Sequence, residues 1–266
     1  MTVVSHNDLQ PPPGFVLDYV TVPSATGESG AANSPGDRLP YFRFDRPFDR
    51  SQEDDHQYRL LRLPNQLQAL LVQAKPDEAI KSCASLGVHV GHFADPPSVQ
   101  GLAHFCEHLL FMGTEKYPKE NEYSQYLSQH GGRSNAYTDM NTTNYHFSVN
   151  SEFFEGALDR FAQFFIAPLF NEDCTERELL AVDSEHKKNI QNDGWRHFQL
   201  DKSLADPASP YAKFGTGSLK TLKDEPAKAG ISIRKELLAF HDQYYSANLM
   251  ALAVYGRESL DQLTEW

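Results

Sequence analysis

Residues 101–110, GLAHFCEHLL, constrain the fold of this chain more than any other stretch. Leu102, Ala103, Phe105, Leu109 and Leu110 make the segment apolar on most sides, so a helix here must pack into a core. Two histidines and a glutamate in such a helix need partners, because an unpaired polar group in apolar surroundings costs about 2–7 kcal/mol. Successive helical residues turn by about 100°, which places His104 and His108 about 40° apart and one turn above each other. Two imidazoles so placed can chelate one zinc ion. Glu107 lies at the margin of the same face, where a carboxylate can reach a metal-activated water without occupying the metal. The bare H-x-x-E-H pattern also occurs on helices without metal, and it is the apolar setting that favours a site. A catalytic zinc takes three protein ligands and keeps one position open. The helix ERELLAVDSEH (residues 176–186) offers Glu178 and Glu185, two turns apart on a face shared with Ala181 and Val182. Pattern alone does not promote either, since acidic helical residues are most often solvated.

Around this helix the periodicities describe an α+β domain, with helices packed on a mostly antiparallel sheet. QYRLLRLPNQLQALLVQ reads as two strands joined at Pro64-Asn65, and Ala84–Phe93 reads as a buried strand. Ser98 is the expected N-cap of the 101–112 helix, and a second helix over 121–130 ends at Gly131-Gly132. Strands follow near 134–138 and 144–150, the second alternating with Tyr145 and Phe147 on one face. Helices are expected near 151–166, 173–192, 193–204 and 231–246, then a strand over 249–255. Residues 1–40, rich in Pro, Gly and Ser, are expected to be a disordered tail, leaving 41–266 as the domain.

Composition bounds the partners. Twenty-four basic against 36 acidic residues give a formal net charge of −12, which argues against nucleic-acid binding. No apolar run is long enough to cross a bilayer, and the N-terminus is not a secretory signal. Three widely spaced cysteines do not form a disulfide framework, and free thiols point to a reducing compartment. The default is the cytoplasm, with mitochondrion and peroxisome left open. Cys106, about 200° around the helix from His104, is assigned to packing with thiol sensitivity beside the site. Cys83 and Cys174 read as buried small hydrophobes, and His146 and His186 as structural or surface residues. No G-x-S-x-G is present, which lowers a serine-hydrolase reading.

The stretches GLAHFCEHLLFMGTEKYPKENEYSQYLSQHGG, SNAYT, TNYHF, EGALDRFAQFF, LLAVDSEHKKN and FGTGSLKTL resemble the pitrilysin family of inverted zinc peptidases, from about residue 57 onward. HFCEH and YPKENEYSQ point to its insulysin-like branch. The resemblance implies one zinc ion per chain, with His104 and His108 as ligands, Glu107 as base and Glu185 as third ligand. It implies that Glu178 orients a ligand from behind. It implies that Asn135, Ala136 and Tyr137 lie on an edge strand that pairs with extended substrate. Trp195 and Phe198 match aromatics near the substrate pocket, although either could equally be core. The implied function is zinc-dependent endopeptidase activity on peptides, within a chamber closed by a C-terminal half or a homologous subunit. Residues 41–266 would be the N-terminal catalytic domain, cleaving poorly until that half is supplied. Two rivals remain: a catalytically weak or inactive homologue that binds peptides or a subunit, and a processing protease for targeting peptides. The intact motif opposes the first, and the lack of an Arg-rich amphipathic leader opposes the second.

Overall fold

Alternation along residues 143–150 anchors the architecture: Thr143, Tyr145, Phe147 and Val149 are buried, and the residues between them are half-exposed. The computed structural model describes residues 9–21, 38–75 and 79–266. Among these residues eight strands form one sheet: β1 Phe15–Thr21, β2 Arg38–Phe44, β3 Gln57–Arg62, β4 Gln68–Gln73, β5 Lys81–Val88, β6 Arg133–Thr138, β7 Thr143–Asn150 and β8 Met250–Gly256. Their spatial order is β1-β2-β3-β4-β8-β5-β7-β6. Every neighbouring pair is antiparallel except β4 with β8. The fold is therefore the α+β arrangement anticipated.

Helices α1 Leu102–Leu110, α2 Glu122–Gln129, α3 Phe154–Ile166, α4 Glu172–Asn189, α5 Asp193–Leu204, α6 Glu225–Lys228, α7 Ile233–Tyr244 and α8 Leu260–Glu265 complete the domain. One hydrophobic core joins the sheet to α1, α2, α3 and α7, with Phe105, Tyr145, Phe147, Phe161 and Phe164 within it. Helix α1 packs against α4, β6, α7 and β7 and so sits between core and surface.

Four expectations change. The tail expected over residues 1–40 contains β1 and the start of β2, paired in register from Phe15↔Phe44 to Thr21↔Arg38. The run FVLDYVT is β-branched and aromatic enough to pair despite its poor flanks, and Arg43 Nε bonds Asp18 Oδ2 at 3.3 Å across it. Residues 1–8 and 22–37 of that expected tail lie outside the described residues. The strand expected over 84–93 ends at Val88. Beyond it the chain turns away, and His92 and Phe93 donate backbone N–H groups to Asp139 O and Met140 O at 3.1 and 2.8 Å. Ser98 does not cap α1: the cap position is Gly101, at φ 95°. The exposed helix donors are taken by Asp95, whose two carboxylate oxygens accept from Gly101 N (2.7 Å) and Ala103 N (2.8 Å). Finally, a π-helical turn over Lys220–Asp224, α6 and α8 carry no strong periodicity and were not anticipated.

Candidate metal centre

Helix α1 turns Phe105, Cys106, Leu102 and Leu109 into the core and presents His104, Glu107 and His108 to a cleft of about 700 Å³. The opposite wall is α4, which brings Glu178 and Glu185 to the same place; of Ala181 and Val182, the pair on their shared face, Val182 is buried and Ala181 is exposed. Glu185 Oε2 lies 3.6 Å from His104 Nε2 and 3.7 Å from His108 Nε2. Both separations are too long for hydrogen bonds. They approach about 3.3 Å, the edge of a tetrahedron whose metal–ligand bonds are about 2.0 Å. One ligand atom from each of His104, His108 and Glu185 lies within 4.8 Å of the others, and among the described residues this is the one such cluster. Two imidazoles and a carboxylate are a donor set that zinc takes, so the residues fit the ion.

The two rings are oriented from behind by different groups. His108 Nδ1 meets Glu178 Oε2 at 2.9 Å, and His104 Nδ1 meets the backbone carbonyl of Thr216 at 2.7 Å. Burial works to lower the His108 pKa, but the hydrogen bond to Glu178 and the nearby Glu185 carboxylate outweigh it and hold the ring at about 9. A metal ion would displace that proton, so affinity should fall with pH. The His108 imidazole keeps Glu185 below the ordinary carboxylate value, against its partial burial. Glu107 is 6% exposed. Burial raises its pKa, opposed by His104, the hydrogen bond from Thr138 and His108. Thr138 Oγ1 donates to Glu107 Oε2 at 2.5 Å.

Asn135, Ala136 and Tyr137 lie on β6, which among the described residues pairs only with β7, its other edge free of strand partners there, beside the cleft. Tyr137 is 53% exposed. Trp195 and Phe198 lie on α5 with ring centroids 6.2 Å apart, and both line the cleft rather than the core. Cys106 is fully buried and burial raises its thiol well above the ordinary value, which removes the thiol sensitivity anticipated for it. All three cysteines are free; Cys174 is buried, whereas Cys83 is only half-buried. His146 Nδ1 meets Asn144 Oδ1 at 3.0 Å and His186 packs edge-on to Phe214, both away from the cluster. Sequence reasoning missed Thr138, Thr216 and a pair at one end of the cleft, Lys202 and His92, whose Nζ and Nε2 are 2.9 Å apart. Lys202 is 1% exposed and also sits over the rings of Phe198 and Tyr211. A buried lysine on an otherwise exposed helix carries no local signal.

Residues 70–208 match the family model described as Insulinase (Peptidase family M16), and residues 232–266 match the one described as Peptidase M16 inactive domain. Insulin-degrading enzyme of Bos taurus is 58% identical over 215 residues, covering 81% of this chain and 21% of that protein. The A-factor-processing enzyme of Saccharomyces cerevisiae is 56% identical over 223 residues, covering 84% and 22%. The crystal structure of pitrilysin superposes with a TM-score of 0.80 at 37% identity, over 85% of this chain and 24% of that one. The chain thus spans about a fifth to a quarter of the length of these relatives. Among the described residues no helix is long and apolar enough to cross a membrane. With the first family model covering just over half of it, the chain belongs to the insulinase family of peptidases, M16.

Proposed function

We propose that this chain is the catalytic module of a zinc metalloendopeptidase that hydrolyses peptides, with one zinc ion held by His104, His108 and Glu185. The observation that carries the reading is the convergence of their three ligand atoms within 4.8 Å beside a buried glutamate. Zinc bound there would acidify a water toward a pKa of about 7 and polarise a carbonyl oxygen. Glu107 is the proton carrier. Its Oε2 is held by Thr138, which leaves Oε1 to take the proton of the attacking water and return it to the leaving amine. Its burial-raised pKa brings it nearer the working range of a general base. Glu178 holds His108 through Nδ1 and leaves Nε2 for the metal.

Substrate would add as an extended strand on the free edge of β6, contacting Asn135, Ala136 and Tyr137. Trp195 and Phe198 would receive side chains on one side of the metal. The cleft is open, and the module needs a facing wall to exclude water and orient the bond. A C-terminal half or homologous subunit would supply it, and the isolated chain would be a weak peptidase. Residues 41–266 form this module, with β1 as an added edge strand, and the free cysteines support a cytoplasmic location.

Glu107→Gln tests the reading. It should retain zinc and lower peptide turnover about 10²–10⁴-fold, measured in the chain with its complementing half present. Zinc retained at an undiminished rate would remove Glu107 from the mechanism.

A further inference from the structure

The segment from Lys213 to Leu219, KFGTGSL, has no regular structure before its last residue, yet it is tied down at almost every residue. Lys213 Nζ donates to the carbonyls of Phe93 and Asp95 at 2.6 and 2.7 Å. Phe214 N donates to Gln100 Oε1 at 2.7 Å. Gly215 lies against the His92 ring, where a Cβ would come within 2.5 Å. Gly217, at φ 81°, meets Gly101, at φ 95°, so closely that a Cβ on Gly101 would stand 2.2 Å from Gly217 Cα. Leu219 N donates to Asp183 Oδ1 at 3.0 Å, which fastens the loop to α4. Between these ties the Thr216 carbonyl meets His104 Nδ1 at 2.7 Å.

A carbonyl only accepts, so this contact requires the proton on Nδ1. The neutral His104 ring then keeps a bare Nε2, the atom that faces Glu185 at 3.6 Å. We infer that the 213–219 loop is the positioning element of His104: its clamped backbone fixes the ring's tautomer and direction and thereby sets metal affinity. His108 receives the equivalent service from a side chain, Glu178. His104 receives it from a backbone atom, so the dependence falls on loop shape rather than on the identity of residue 216. The two facing glycines are what let the loop approach α1. The metal part of this inference rests on the zinc reading above; the tautomer part does not.

Two readouts on the folded chain test it: imidazole ¹⁵N chemical shifts of His104 without metal, and zinc affinity by chelator competition. Wild type should show His104 protonated at Nδ1. Gly217→Ala should lose that signature and weaken zinc about 10–100-fold, the range for loss of a group that orients a ligand. Thr216→Ala keeps the carbonyl and should stay within about twofold of wild type, a control on which the same principle predicts no loss. Should Gly217→Ala fail to fold, Gln100→Ala combined with Lys213→Met loosens the same loop without placing a Cβ against α1, and the same two shifts are expected. Unchanged tautomer and affinity in a folded loop variant would overturn the inference, as would a large loss in Thr216→Ala. A wild-type chain that shows the Nδ1–H ring but takes no zinc would instead sink the zinc reading, leaving the tautomer comparison to decide the loop's role.

Discussion

Seven of the nine residues of α1 are buried, whereas of the twelve residues of α5 only Lys202 is. The floor of the cleft is thus built from core, and one wall is built from surface helices. His104 and His108 are 13% and 22% exposed at the side chain, while Glu185, on α4, is 41% exposed. Core packing therefore presets the two imidazoles and Glu107, and Glu185 and the aromatic wall depend on how α4 and α5 lie across them. The floor should respond to substitution through stability, and the wall through affinity.

The largest contrast lies in folding. Phe105→Ala removes a fully buried ring from α1 and should cost about 3–5 kcal/mol. Leu200→Ala on α5, 58% exposed, should stay within about 0.5 kcal/mol. Urea unfolding of both variants measures this, and equal losses would erase the distinction between floor and wall.

Next is the wall's share of the metal. Glu178→Gln should weaken zinc about 10–100-fold by releasing His108, and Glu185→Gln should weaken it further by removing a ligand. Chelator competition ranks the two, and the opposite order would reverse their roles. A smaller effect is expected at the aromatic wall. Phe198→Ala should raise KM about 2- to 10-fold, in line with about 0.5–1.5 kcal/mol for an aromatic contact, with kcat and unfolding unchanged. An altered melting curve would instead mark Phe198 as packing.

The last contrast is a pH dependence within the cleft, at His92 and Lys202. Burial, with the Lys202 ammonium, holds His92 down at about 4, against about 6.5 when unfolded. The folded state therefore resists protonation: the stability from neutral His92 is complete above about pH 6.5 and is lost as pH falls toward 4. His92→Gln should flatten that part of the Tm-against-pH curve. An identical slope in the variant would show that the titration lies elsewhere.

What was legible in the sequence follows from how local its cause is. The His104–Glu107–His108 face and the alternation of β7 depend on residues within one or two turns or strand steps, and both lie where the periodicity puts them. β1 was obscured because its Pro- and Gly-rich flanks, and Asp18 at its centre, outweighed the β-branched and aromatic residues of a seven-residue run. Asp95 was missed as the cap of α1 because it reaches back over a turn from six residues upstream of its first donor. Glu178 and Glu185 share one helix face, and only the crossing of α4 over α1 separates a carboxylate behind His108 from one in front of both rings. Thr216 acts through its carbonyl, which every residue possesses, so no residue type could announce it.

The central claim is that His104, His108 and Glu185 together hold one zinc ion, and the zinc content of the purified chain tests it most directly. Metal analysis after dialysis should return about one zinc per wild-type chain, a single catalytic site of this donor set. His108→Ala should return close to none while keeping the wild-type circular dichroism. A folded wild-type chain without zinc, or one zinc retained after His108→Ala, would contradict the account.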